Sequence, residues 1–422
     1  MLSEAPNHPS FTQKYPEVGA AGVQLLEILV NAGYGELFAD RDAAAAACTG
    51  PLHPAPLGNI AKQRSDGSWK FRLIQDLRRN EVNSAARLPE RQVLPRPVDH
   101  AIDLATLSSQ QEPGQAVWVA VADFADAYMS VPLLERERRF NCAEVSEPLR
   151  RTRAPIRPSE PAFGSLVLWR VLGFGGRPNP LIFARISSVL MRLAQAMFPS
   201  SHKFDRHRLP AVRAQLYVDD AIFAILGCRV QVTEAFDLIL ILWLLLGAPI
   251  SWPKVLLREV SSTAGHTWIG VSFVVREPAI AVMSLPAEFI AGLMDLLAQF
   301  AQSFGSVSAS DAEVLVGRVA RVVYIVPLAR AYAAALWSAL SAARSRTSEA
   351  RVGGRAGEAP PGRYPARRFA VAAAWFRALL APPVDSRPVF FPLEREVLAV
   401  DPARTHRVSD WAIVADASPW GG

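Results

Sequence analysis

At 422 residues, half of them apolar, the chain is long enough to bury the cores of two or three domains, and its net charge of +6 suits a polyanionic partner without demanding one. Three dispersed cysteines, Cys48, Cys142 and Cys228, exclude a CxxC metal or redox motif and a paired disulfide scaffold, which fits a reduced intracellular protein. The first residues have neither the basic start nor the apolar run of a secretory leader, and the longest apolar run, 238–250, is too short to span a bilayer, so neither secretion nor a membrane partner is expected.

In chain order, residues 23–30 (VQLLEILV) have amphipathic helical spacing and an alanine-rich stretch follows, so 1–50 is expected to be an N-terminal helical extension. Residues 60–77 predict two strands about a turn, with 65–68 (SDGS) as the turn and 69–74 alternating. The run 116–122 (AVWVAVA), ending on Asp123, suits a buried strand. Residues 146–164, with four prolines and several arginines, predict a loop insertion, and 181–197 a helix that starts just after Pro178-Asn179-Pro180. Next comes a strand, turn and strand: 215–218, Asp219-Asp220, then 221–226. A buried helix over 233–246, a strand over 267–275 and helices over 286–345 follow, and 346–365 has the composition of a flexible linker. Residues 411–415 (WAIVA) again read as a strand.

Metal-assisted phosphoryl transfer holds two divalent ions about 3.5–4 Å apart with hard oxygen ligands on rigid elements. Asp123 ends one apolar strand, and Asp219-Asp220 occupies a hairpin turn 96 residues later. Either site alone is ordinary turn chemistry. An adjacent carboxylate pair between two apolar strands is less ordinary, because its charges repel unless a cation lies between them. The two sites together point to metal binding.

The segments 121–133 (VADFADAYMSVPL) and 216–220 (LYVDD) resemble the first and third motifs of reverse transcriptases from retroviruses and long-terminal-repeat retrotransposons. Residues 171–183 (VLGFGGRPNPLIF) are similar to the second motif, with Gly173 where proline is usual. Residues 62–78 resemble the fingers segment, and 247–254 (GAPISWPK) and 268–270 (WIG) the fourth and fifth motifs. All fall in family order over roughly residues 55–275.

That resemblance implies an α+β right-hand polymerase, with fingers, an antiparallel palm and a helical thumb. It assigns Asp123, Asp219, Asp220 and the Phe124 carbonyl to two magnesium ions, with manganese as an alternative, and Lys254 to protonation of the leaving pyrophosphate. A plain surface lysine is the competing reading of Lys254. Tyr128 takes the place of the ring beneath the incoming sugar, which leaves no space for a 2′-hydroxyl; the competing reading is a core tyrosine. Arg72 matches the arginine over the triphosphate, and either Lys62 or Arg64 the basic residue of the fingers loop. Phe174 and Gly175 would line the nucleotide pocket, and Asp126 and Ala127 would meet the triphosphate through their backbone. Arg78, Tyr217, Val218, Trp268 and Gly270 fall where the family contacts template and primer.

The expected partners are an RNA or DNA primer–template and deoxynucleoside triphosphates; nothing in the sequence sets an oligomeric state. The expected division is an extension (1–50), fingers and palm (51–285), thumb (286–345), a connection (346–405) and the start of an RNase H-like domain (406–422). There Asp416 resembles the first acidic residue of that site, and no RNA-cleaving activity is expected from it alone. The helical stretch 311–340 with this distal segment resembles DIRS-like and gypsy-like retroelements. Two rivals stand beside this reading. An RNA-dependent RNA polymerase is opposed by Tyr128 and by YVDD in place of GDD. A decayed or domesticated relic that only binds nucleic acid is opposed by the three intact aspartates.

Overall fold

A computed structural model describes residues 6–12, 21–63, 67–199, 209–302, 306–349, 362–381 and 393–399. The chain begins with α1 (Pro9–Thr12), α2 (Ala21–Asn31), β1 (Gly35–Phe38), α3 (Arg41–Ala46), β2 (Leu57–Gln63) and β3 (Trp69–Gln75). Next come α4 (Val82–Ala85), α5 (Pro97–Ser108), β4 (Ala116–Asp123), α6 (Glu135–Arg138), β5 (Cys142–Arg150), β6 (Phe163–Trp169) and α7 (Asn179–Ala196). The second half opens with β7 (Ala211–Tyr217), β8 (Asp220–Gly227), α8 (Arg229–Leu245), β9 (Leu256–Glu259), β10 (His266–Trp268), β11 (Val271–Glu277) and β12 (Ile280–Ser284). It continues through α9 (Ala287–Gln302), β13 (Ser306–Ser308), α10 (Ala309–Ile325), α11 (Arg330–Glu349), β14 (Arg363–Pro365), α12 (Arg367–Leu380) and β15 (Glu394–Leu398). Helices and antiparallel sheets in one chain give the expected α+β class.

The central sheet has the order β7-β8-β4-β9, every pair antiparallel. Its middle strand β8 is apolar without interruption because both of its faces are covered. Ala221, Phe223 and Ile225 enter a core built with Leu190 and Met191 of α7 and Phe236, Ile239 and Trp243 of α8. Their neighbours Ile222, Ala224 and Leu226 enter a second core with Leu104 and Leu107 of α5 and Phe273 of β11. The two-residue side-chain period thus divides one strand between two cores.

Several elements differ from the sequence expectation. The N-terminal segment is not wholly helical. β1 pairs with β6, Gly35 opposite Trp169, and a side chain at Gly35 would meet Val167 Cγ1 at 2.6 Å. A four-residue strand is too short to show a period of its own. The proline-rich 146–164 stretch is half strand, since β5 runs to Arg150 and β6 starts at Phe163. The loop between them is pinned by Glu160, whose side chain accepts from Arg153 at 2.6 and 2.8 Å and from the Leu37 and Ile156 amides. Burial alone would raise the Glu160 carboxyl, but these donors outweigh it and hold it below the usual range. α8 buries one side only; Leu238, Ile241, Leu244 and Leu245 on the other side are exposed. The single strand expected over 267–275 is a hairpin, because Ile269 and Gly270 both have positive φ and close a two-residue turn.

The 346–405 connection also holds regular structure. β14 pairs with β13, α12 buries Phe369 and Phe376 beside α9, and β15 joins β12 as an edge strand. Its regularity was hidden because these elements are short and find their partners far back in the chain. Residues 406–422, Asp416 included, lie outside the described residues, as does Arg64. Among the described residues no helix is long and apolar enough to cross a membrane.

Behind the sheet, His100 of α5 and His266 of β10 meet Nε2 to Nε2 at 2.9 Å, enclosed by Trp268 and Phe273. Burial, then the other histidine, pushes His100 well below its usual range; burial, then Arg258, pushes His266 down to about 4. Both rings are therefore neutral in the folded chain at pH 7. As pH falls below about 6.5, the unfolded chain binds protons that the folded one refuses, so stability drops until about pH 4. His266 alone should cost about 2 kcal/mol at pH 5. Urea titrations at pH 7 and 5 should show this loss, and His266→Gln should shrink it. An equal loss in the variant would assign it elsewhere.

Candidate active site

β4 and β8 end together, Asp123 facing Asp220 in register. The β7–β8 hairpin closes on the pair Tyr217 and Asp220, leaving Val218-Asp219 as a two-residue loop. Sequence alternation thus sets Asp123 and Asp220 side by side with Asp219 next along the chain. Asp220 is pushed up to about 6, first by burial and then by the charge of Asp219. Surplus negative charge gathered in a half-buried pocket is what a divalent cation relieves.

The strand end is tied to residues 249–251 by Ser251 N–H donating to the Asp123 carbonyl at 2.8 Å and Ala125 N–H to the Pro249 carbonyl at 2.9 Å. Phe124 lies between these two bonds opposite Ile250, so its own carbonyl is directed to the other side of β4, where β8 and the Asp219 turn lie. Its ring is buried, with the Trp243 ring centroid 4.9 Å away. The one-turn helix Trp252–Lys254 brings the Lys254 ammonium onto the Asp123 carboxylate. Partial burial, then the charges of Lys70 and Arg72, lower the Lys254 pKa, so three basic groups converge over the acidic pair. With Asp123 on Lys254, no three His, Cys, Asp or Glu side chains among the described residues close around one point as an ion-binding group.

Tyr128 starts beyond a sharp bend at Asp126, which has φ 46°. Its ring stands edge-on to Phe174 at 5.4 Å and to Phe183 at 5.9 Å. Its phenol is raised by burial and then by the charge of Asp219, which sets the ring beside the carboxylates. Ala127 packs against the same core. The Arg72 guanidinium lies 5.9 Å from the Phe174 ring, and Lys62 is exposed opposite Lys70 on the β2–β3 hairpin. Gly175 is exposed and its backbone closely approaches Gln75: with φ 122°, a Cβ there would sit 1.9 Å from the Gln75 carbonyl oxygen. Gln75 N–H donates to the Phe174 carbonyl at 2.8 Å, joining the hairpin to the second motif.

On the far side of that joint is a cleft of about 360 Å³, lined by His8, Asn59, Ile74, Gln75, Arg78 and Gly175. Arg78 is exposed and lies 3.5 Å from Asp76. Tyr217 is exposed at the hairpin, with Val218 beside it. Trp268, expected to contact template and primer, lies inside the fold with its indole beside Asp220, whose carboxyl it draws down. It is only 2 % exposed and its ring packs against His100, because β10 turns its aromatic residue into the core. The Ile269-Gly270 turn next to it is half-buried, with Gly270 beside Arg321. Two further contributors carry no motif or spacing signal for the site. Tyr34 donates to Asp126 Oδ2 at 3.4 Å, and Ser187 donates to the Val218 carbonyl at 2.9 Å. Helical spacing marks Ser187 only as an inward position, and Tyr34 lies in a segment without any motif.

Carboxylates at the joined ends of two strands, under a basic hairpin and beside an aromatic pocket, make an acidic site suited to binding divalent ions and phosphates. Residues 61–263 match the family described as reverse transcriptase (RNA-dependent DNA polymerase), and this part of the chain is a reverse transcriptase domain. No curated protein sequence matches the chain. Among solved structures it is similar to the foamy viral protease-reverse transcriptase dRH in complex with ds DNA, at 14% identity and a TM-score of 0.47, over 90% of this chain and 50% of that one. The foamy viral protease-reverse transcriptase in complex with RNA/DNA hybrid matches at 14% identity and a TM-score of 0.46, over 89% of this chain and 39% of that one. The chain thus spans half or less of the length of these structures.

Proposed function

We propose that the chain is the RNA-directed DNA polymerase of a retroelement, extending a primer on an RNA or DNA template with deoxynucleoside triphosphates. The observation that carries this is Asp123 facing Asp220 across β4 and β8, with Asp219 in the adjoining turn. The donor set fits magnesium or manganese: Asp123, Asp219, Asp220 and the Phe124 carbonyl are hard oxygens, and burial with the Asp219 charge keeps Asp220 raised to about 6 although the Trp268 indole lowers it. Two such ions, when bound, would activate the attacking 3′ oxygen and neutralise the leaving pyrophosphate.

The remaining work belongs to the chain. Arg72 and Lys62 on the β2–β3 hairpin supply positive charge for a triphosphate, and the Asp126-Ala127 backbone supplies amides for it. Phe174 and Gly175 wall the nucleotide pocket, and Tyr128 fills the space below the sugar. Lys254, its pKa lowered beside Lys70 and Arg72, is placed to hand a proton to the leaving group. Arg78, Tyr217, Val218 and the Gly270 turn would meet template and primer, with Trp268 supporting that turn from the core. In this reading residues 51–285 are fingers and palm and 286–345 a thumb. The test is primer extension on an RNA template with deoxynucleotides and magnesium or manganese. Extended product is expected. Duplex binding without any extension would instead mark a nucleic-acid-binding relic.

A further inference from the structure

We infer that Ser187 is a positioning residue for the catalytic turn: its hydroxyl holds the Val218 carbonyl and so fixes the peptide that aims Asp219. The inference rests on the polymerase reading above and concerns how that site keeps its shape. Val218 is the first of two loop residues in the β7–β8 hairpin and has φ 61°. A two-residue hairpin with positive φ at its first central position usually has glycine there. A β-branched side chain is disfavoured in that backbone region and stays there only when its surroundings hold it.

Ser187 supplies the hold. It is fully buried on α7, and its Oγ–H lies 2.9 Å from the Val218 carbonyl oxygen and 3.4 Å from the Ala184 carbonyl of its own helix. A helical serine commonly bonds back to its own preceding turn; here the shorter contact is to the hairpin, 31 positions along the chain. α7 is a firm base for it. Asn179 in its first turn donates to the Gly173 carbonyl at 2.7 Å, and Phe183 packs on both Phe124 and Tyr128. The same helix therefore touches the second motif, the metal-side strand and the carboxylate turn. Because the Val218 carbonyl belongs to the peptide joining Val218 to Asp219, holding its oxygen limits rotation of the Asp219 backbone.

The test compares wild type, Ser187→Ala, Val218→Gly and the double variant. Amide exchange over 215–222 should quicken about tenfold in Ser187→Ala, the worth of one hydrogen bond, while the β4 amides stay unchanged. The kcat for single-nucleotide addition should fall about tenfold, with KM and duplex Kd within about twofold. Measured against Val218→Gly alone, so that any loss from the Val218 side chain cancels, Ser187→Ala should cost less than about twofold, since glycine adopts positive φ without a clamp. Filling of the core alone would give no such rescue. If Ser187→Ala does not fold, Ser187→Cys, similar in size and a weaker donor, takes its place in each comparison. Wild-type exchange and kcat in the serine variant, or the same tenfold loss from Ser187→Ala in the Val218→Gly background as in wild type, would overturn the inference. If the wild-type chain extends no primer, the polymerase reading fails, and the exchange data still decide for or against the clamp.

Discussion

Asp123→Asn and Asp219→Asn are each expected to slow primer extension by about a thousandfold, which corresponds to the several kcal/mol that bound cations contribute to such a transition state. Affinity for the primer–template should stay within about threefold, since duplex binding comes mainly from phosphate contacts spread along a groove. The two variants differ in one informative way. Asp123→Asn also removes the carboxylate that receives the Lys254 ammonium, whereas Asp219→Asn leaves that pair in place. Equal losses would locate the effect in ion binding. A loss confined to Asp123→Asn would put it on the lysine pair, and wild-type turnover in either variant would refute the site. Single-nucleotide addition under saturating duplex is the measurement.

Replacing Tyr128 by valine is expected to raise ribonucleotide use relative to deoxynucleotide by roughly 10- to 100-fold, measured as the ratio of kcat/KM values. The ring is wedged between Phe174 and Phe183, so it cannot swing aside to admit a 2′-hydroxyl. Tyr128→Phe keeps the ring and should keep the discrimination, although it loses the phenol that lies within the field of Asp219. An unchanged ratio in the valine variant would reduce Tyr128 to a packing residue.

The sequence disclosed those parts of the site whose chemistry is contiguous in the chain. Asp123, Asp126 and Tyr128 sit within one short segment, Tyr217 to Asp220 within another, and a local strand or hairpin suffices to place each. The palm-like hairpin β7–β8 and the amphipathic α7 were legible for the same reason: alternation and helical spacing are local signals. What stayed hidden depends on distant partners. β1 exists because β6 accepts it, and β15 because β12 offers a free edge. Trp268 looked like a surface contact because its motif says nothing about which face of β10 is inward. Ser187 became visible only when the Val218 carbonyl was found next to it. The close approach of the Gly175 backbone to the Gln75 carbonyl, which leaves no space for a side chain, likewise joins two distant segments and has no local signal.

The division of β8 between two cores sets how the site can move. Ala221, Phe223 and Ile225 are held from one side and Ile222, Ala224 and Leu226 from the other, so the strand cannot slide or peel without opening both. The carboxylates it carries should therefore behave as the fixed jaw of a clamp, and amides of β8 past the turn, over 223–227, should exchange only through global unfolding. The base of the β2–β3 hairpin is held as well, by the amide bond from Gln75 to Phe174, by Asn7 and His8 at Leu57, and by Leu57 and Leu73 in a core with α2.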